Sequence, residues 1–250
     1  MTKLTKIEYG TPTDKSADMV RLGIERGIFE EEGLDLSVKV VFGGPEIAAA
    51  YESGELRIGE IGSPPAINAI AAGLPFTIIG SGCRQRAHMF FAVRKGIETF
   101  EDLKGKKLGL LGIGSCPDWI ARKILMTNGL EPDKDVTFVP LLGEYPRLIE
   151  IMEEGRIDAC LSIEPNLSIG EEKGLLDVWA AGYDEPYLPH YQWVVRVARS
   201  DLIESDPELV AAVMRGCRRS AHYAARHVDE WVAFSARLFG ASDQAVRRAI

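Results

Sequence analysis

No two cysteines in this 250-residue chain have metal-type or redox-type spacing. Cys83, Cys116, Cys160 and Cys217 are scattered and Cys-x-x-Cys does not occur, so neither a zinc knuckle nor a thioredoxin-type motif is signalled. Long hydrophobic runs are also missing. The apolar stretches fall well short of a membrane span, and no membrane insertion is expected. Positive charge is in deficit, with 29 Lys and Arg against 37 Asp and Glu and a net charge of −8. With no basic stripe, nucleic acid is excluded as the expected partner. Met1-Thr-Lys-Leu-Thr-Lys has no apolar h-region and no lipid-attachment cysteine. It predicts a cytoplasmic chain if Met1 is native, and a periplasmic one if a leader was removed. His222 and His227 lie five apart, off a common helix face, so they are not a metal pair; neither metal nor cofactor is expected.

What is present is globular composition, 46% hydrophobic and 26% charged, enough for one large domain or two smaller lobes. Period-2 and period-3.6 patterns alternate from the start. Strands are predicted over 6–10, 35–42, 56–61 and 76–81, with helices over 17–26, 46–53 and 66–72 between them. A second series follows, with strands over 89–93, 108–111, 136–140, 157–163 and 175–180. Residues 183–191 read as loop, 192–198 as a returning strand, and the rest from Pro207 as helices. The fold class is α/β, with mostly parallel sheets flanked by helices.

The stretch Thr99–Ile124 organises the second series. A short polar helix (100–103) stops at Gly105, and the apolar strand 108–111 runs into Gly112, Gly114, Ser115 and Pro117. Ser115 is the expected N-cap of the next helix and Pro117 suits its first turn. Free N–H groups there, with the helix dipole, make an anion site. The third glycine of a dinucleotide fingerprint is replaced by Pro117, and no Gly-Lys-Ser/Thr follows, so neither nucleotide motif is met.

Chain continuity predicts two lobes. Residues 1–85 and 195–250 form the first, and 86–194 the second, with connecting strands near 86–93 and 189–198. Two connections imply a hinge and a ligand cleft between the lobes. The loops 11–16, 43–45, 62–65, 83–86, 112–118, 143–145 and 164–166 each follow a strand, where open α/β sheets bind ligands.

Four segments in order resemble one family. They are Thr99-Phe-Glu-Asp-Leu-Lys-Gly-Lys-Lys-Leu-Gly, Gly27-Ile-Phe-Glu-Glu-Glu-Gly-Leu-Asp-Leu, Tyr51-Glu-Ser-Gly-Glu-Leu-Arg-Ile-Gly, and Gly155-Arg-Ile-Asp-Ala with Glu164-Pro165 after it. They are similar to segments of type II periplasmic binding proteins, near the sulfonate, nitrate and taurine importers and the related thiamin-pyrimidine proteins. The resemblance covers nearly the whole chain. It implies a two-lobe fold, a small and anionic organic ligand, an ABC permease as partner, and a monomer. The chain departs from the family in three ways: it lacks a leader, ends soon after a helix start at Ser242, and lacks the cysteine-rich segment of the pyrimidine synthase branch. The aryl sulfinate desulfinase branch places a cysteine in the first strand–helix loop; here Thr11–Ser16 has none.

The candidate ligand-binding residues are Thr11, Thr13, Asp14, Gly44, Gly62, Ser63, Arg84, Gly114, Ser115, Cys116, Glu164, Tyr183 and His190. Gly62 and Ser63 precede Pro64-Pro65, which fix the loop. Arg84, with Arg86 and His88 nearby, suits an anion. Glu164 could bond a ligand amine or hydroxyl, and Tyr145, Tyr187, Tyr191 and Trp193 are further aromatic candidates. Each residue also has a plain structural reading, as turn, core or solvated surface. No catalytic residue is assigned; Arg57, Arg84, Cys116 and Glu164 are the reagents an enzyme on this scaffold would have. A binding protein, an enzyme and a cytoplasmic sensor are the three functional readings.

Overall fold

A computed structural model describes residues 3–83 and 88–248, without the Cys83 side chain. In chain order the elements are β1 (Thr5–Thr11), α1 (Asp18–Glu25), α2 (Ile28–Glu31), β2 (Leu34–Val40), α3 (Gly44–Ser53), β3 (Ile58–Gly62), α4 (Ser63–Ala71) and β4 (Phe76–Cys83). Then come β5 (Met89–Arg94), β6 (Lys106–Leu110), α5 (Cys116–Thr127), α6 (Pro132–Asp135), β7 (Val136–Pro140), α7 (Leu148–Glu153), β8 (Ala159–Ile163), α8 (Asn166–Glu172) and β9 (Leu176–Ala181). The chain ends with β10 (Val194–Arg199), α9 (Ser200–Ser205), α10 (Pro207–Arg226), α11 (Val228–Phe239) and α12 (Asp243–Arg248). Helix α9 was absent from the sequence expectation, and Glu101–Leu103 is a 3-10 turn rather than an α-helix.

Two compact units result: Met1–Val41, Pro45–Gly82 and Val194–Gly240 in one, Phe42–Gly44, Cys83–Trp193 and Ala241–Ile250 in the other. Residues 241–250, assigned by the sequence analysis to the first lobe, therefore cluster with the second unit. The reason is visible at α12, where Ser242 Oγ donates to Glu172 Oε1 at 2.9 Å and Arg248 pairs with Glu171 at 3.0 Å.

The first unit is built on a sheet of order β2-β1-β3-β10-β4. Strands β2, β1 and β3 run parallel, and β10 lies antiparallel to β3. Every residue of β3 is buried. Ile7, Tyr9, Phe29, Leu34 and Leu36 pack with Val213 and Cys217 of α10, while Ile47 and Tyr51 of α3 pack with Leu56, Ile61 and Phe76. Helices α1 and α10 approach closely because residue 23 is glycine: a Cβ there would stand 1.8 Å from Ser220 Oγ.

The second unit carries a sheet of order β7-β6-β8-β5-β9. Strands β6, β7 and β8 are parallel, and β5 is antiparallel to both β8 and β9. Each sheet is mixed: its strands run mostly parallel, as the sequence pattern predicted, with β10 in the first and β5 in the second reversed against their neighbours. The reversed strands, β5 and β10, each follow a point where the chain passes from one unit to the other, Gly82/Cys83 for β5 and Trp193/Val194 for β10. Helix α5 buries Ile120, Ala121, Ile124 and Leu125 against Phe91, Leu108 and Leu161, and exposes Trp119 and Met126. It ends as Asn128-Gly129 predicts, with Gly129 at φ 83° and Asn128 Nδ2 donating to the Ile124 carbonyl at 2.8 Å. Among the described residues no helix is long and apolar enough to cross a membrane.

Candidate functional site

In the first unit, the carboxyl ends of β1 and β3 hold Thr11, Gly62 and Ser63; Thr11 is fully buried and Ser63 nearly so. The loop after β1 satisfies itself. Thr13 Oγ1 and Ser16 Oγ lie 2.9 Å apart, the Ser16 N–H donates to Thr13 Oγ1 at 3.1 Å, and Arg21 holds Asp14 at 2.6 Å. Beyond it Lys15 and the Trp231 indole N–H hold the buried Asp18 carboxylate at 2.7 and 3.2 Å. Gly44, placed in the first lobe by the sequence analysis, clusters with the second unit; it opens α3, after Gly43 at φ 104°.

Strand pleating places Tyr9 and Thr11 on one face of β1 and Gly10 on the other. The same alternation puts Glu60 of β3 on the Tyr9 face, 1% exposed, and Arg196 of β10 lies opposite it in register. The Tyr9 phenol donates to Glu60 Oε2 at 3.2 Å and accepts from Arg196 Nε at 3.4 Å; Arg196 also donates to the Ser81 carbonyl at 2.8 Å. Thr11 Oγ1 stands 2.9 Å from Glu60 Oε1 and 2.9 Å from the Thr13 carbonyl. Burial raises the Glu60 carboxyl to about 7, against the opposing pull of Arg196, Thr11 and Tyr9. Burial likewise pushes the Cys217 thiol beside this group to about 11. Neither Glu60 nor Arg196 was a candidate from sequence. The signal existed: each is a lone charge inside an apolar strand run, Ile58-Gly-Glu-Ile and Val194-Val-Arg-Val.

In the second unit the loops after β6, β7, β8 and β9 share one sheet edge. Ser115 takes the N-cap position of α5 in extended backbone, but its side chain does not cap; the hydroxyl turns back to the Gly112 carbonyl. The Gly114 N–H, expected to face a ligand, donates to Asp118 Oδ2 at 2.8 Å. Arg122 Nε holds the other carboxylate oxygen at 2.8 Å, so α5 carries a buried anion of its own at that end. Asp118 was not singled out from sequence, although an acid in the first helical turn is a legible signal. Cys116 is buried and its thiol lies 3.5 Å from the Trp193 carbonyl.

Glu164 is half-buried. It accepts the Ser168 N–H at 2.9 Å and hydroxyl at 3.0 Å, while burial raises its carboxyl from the usual range. The Tyr145 hydroxyl shares a bond of 2.9 Å with Ser162 Oγ, which also accepts from Asn166 Nδ2 at 3.2 Å. Tyr183 packs on the rings of His88 and Phe90 at 5.4 and 6.0 Å. Tyr187 accepts from Asn128 Nδ2 at 3.0 Å, Tyr191 and Trp193 pack against the core below, and His190 is exposed. His227 stacks on Tyr223 at 4.1 Å rather than pairing with His222. Arg84 and Arg86 lie outside the described residues. Among the described residues no group of three or more His, Cys, Asp or Glu side chains is placed to hold a metal.

Two α/β units with mixed sheets, each gathering polar groups at the carboxyl edge of its parallel strands, define the periplasmic-binding-protein fold. The alkanesulfonate-binding protein SsuA from Xanthomonas axonopodis pv. citri, solved with MOPS, superposes with a TM-score of 0.82 at 20% identity, over 99% of this chain and 83% of that one. The chain belongs to the NMT1/THI5 like family, whose model matches residues 19–231. A Bacillus subtilis (strain 168) protein named as a binding protein, YtlA, is 26% identical over 68% of this chain and 52% of its own length. The taurine-binding periplasmic protein of Escherichia coli (strain K12) is 27% identical over 81% of this chain and 62% of its own. The chain thus spans between half and two thirds of the length of these two curated relatives.

Proposed function

We propose that this chain is a solute-binding protein that captures a small organic anion, a sulfonate or carboxylate, and delivers it to an ABC permease as a monomer. The observation that carries this is membership of the NMT1/THI5 like family, whose model matches residues 19–231; taken unit by unit, hydroxyl side chains stand at the carboxyl edge of the parallel strands, Thr11 and Ser63 in the first and Ser115 and Ser162 in the second. Neutral hydroxyl and N–H donors recognise an anion without supplying a reagent. The relatives named above as binding proteins support the same reading. Service to an importer puts the chain outside the cytoplasmic membrane, the periplasmic alternative of the sequence analysis.

The test is thermal and calorimetric titration of the purified chain, after refolding to remove bound solute, with taurine, short alkanesulfonates, nitrate and short carboxylates. One class should raise the melting temperature. At about 100 times Kd the stabilisation amounts to about 2.7 kcal/mol. The compound should be recovered unchanged by mass spectrometry. Failure of every anion at millimolar concentration overturns the reading, and conversion of the compound makes the chain an enzyme.

A further inference from the structure

The Thr11 hydroxyl has one proton and two neighbours that want it. Its Oγ1 is 2.9 Å from the Thr13 carbonyl oxygen and 2.9 Å from Glu60 Oε1. A threonine hydroxyl donates once and accepts up to twice. A carbonyl has no proton to give and neither has a carboxylate, whereas a carboxylic acid has one. Both contacts are therefore hydrogen bonds when Glu60 Oε1 is protonated and donates to Thr11, whose own O–H donates to the Thr13 carbonyl. The other carboxyl oxygen, Oε2, accepts from Tyr9.

We propose that Glu60 is a proton-operated latch on the loop Thr11–Ser16. While Glu60 is neutral, Thr11 holds the Thr13 carbonyl. When Glu60 gives its proton to water, its carboxylate becomes the stronger acceptor and draws the Thr11 hydroxyl away. No heavy-atom bond changes. Thr13 is the centre of the loop, since its hydroxyl binds both Ser16 Oγ and the Ser16 N–H, so losing its carbonyl bond reaches the whole turn.

The groups around Glu60 place the switch near neutrality. Tyr9 and Thr11 on β1 and Arg196 on β10 favour the ionised form. Asp18 on α1 favours the neutral form, and Tyr51 on α3 and Cys217 on α10 also feel the carboxylate. Burial outweighs them, and the balance stands at about 7. Any effect on ligand affinity rests on the function proposed above; the latch does not, and its test uses the chain alone.

The test is an NMR pH titration of chain labelled with 13C at the glutamate carboxyls and 15N at the backbone. One carboxyl should titrate near pH 7 and be missing from Glu60→Gln. The amides of Asp14, Lys15 and Ser16 should move with the same midpoint. In Thr11→Val the carboxyl should still titrate while the loop amides stay flat, and Thr11→Ser should restore the coupling. The loop amides of the unmodified chain and of the two Thr11 variants decide the matter even if Glu60→Gln does not fold. A Glu60 carboxyl ionised below about pH 5 overturns the proposal, and so do loop amides that stay flat while the carboxyl titrates.

Discussion

Replacing Glu60 by Gln should change how stability depends on pH. The carboxyl titrates at about 7 in the folded unit against an ordinary value of 4.5, the largest cause being burial. The folded state therefore binds this proton more tightly than the unfolded chain. The contribution is fully present below about pH 4.5 and is lost as pH rises through about 7. A gap of about 2.5, at ~1.4 kcal/mol each, comes to about 3 kcal/mol. Gln keeps the shape, accepts from Tyr9, donates to Thr11, and cannot titrate. Urea unfolding of both proteins at pH steps from 4 to 8 reads the difference, in which the other carboxylates cancel. The stability of the unmodified chain should fall relative to Glu60→Gln by about 3 kcal/mol across that range. With m near 1–3 kcal/mol/M this is a relative midpoint change of roughly 1–3 M. Two profiles parallel to within about 0.5 kcal/mol would refute the reasoning, because a buried carboxyl that stays neutral cannot be silent.

Three further outcomes follow from named contacts. Gly59→Ala should unfold the first unit or cost about 3 kcal/mol or more in urea unfolding, because the new Cβ would stand 2.2 Å from the Gly10 carbonyl and 2.5 Å from the Tyr51 hydroxyl, with rigid neighbours on both sides. Asp118→Ala should cost about 2–4 kcal/mol by the same assay, since it strips the Gly114 N–H and one side of Arg122 of their acceptor; a loss below about 0.5 kcal/mol would mean the carboxylate is idle. Once a ligand is in hand, Ser115→Ala should weaken binding about 5- to 15-fold and Cys116→Ser less than about threefold by calorimetry; affinity unchanged in Ser115→Ala would remove the α5 N-terminus from the site.

The family resemblance was legible because its segments are local. Gly27, Gly33, Gly54, Gly105 and Gly155 all adopt positive φ, and the four segments that carry the resemblance turn on those glycines. The reversed strand in each sheet was not legible. A strand reads the same in either direction, and only the pairing of Val194 with Gly62 and of Met89 with Ile163 sets β10 and β5 antiparallel. The N-terminus of α5 was half legible. Glycine, serine and proline announced the helix start, but the partner of the Gly114 N–H depended on a rotamer of Asp118 that pattern does not report.

By itself the sequence determined the kind and order of the main strands and helices, α9 excepted, because periodicity, caps and glycine turns act over a few residues. It also determined the charge balance and the loops that follow the strands. Only the tertiary structure decided which of the many charged residues lose their water. Glu60 and Arg196 are far apart in the chain and lie side by side in the sheet, beneath α10, where burial raises the carboxyl to about 7. Desolvation is a property of everything packed around a group, and no short stretch of sequence contains it.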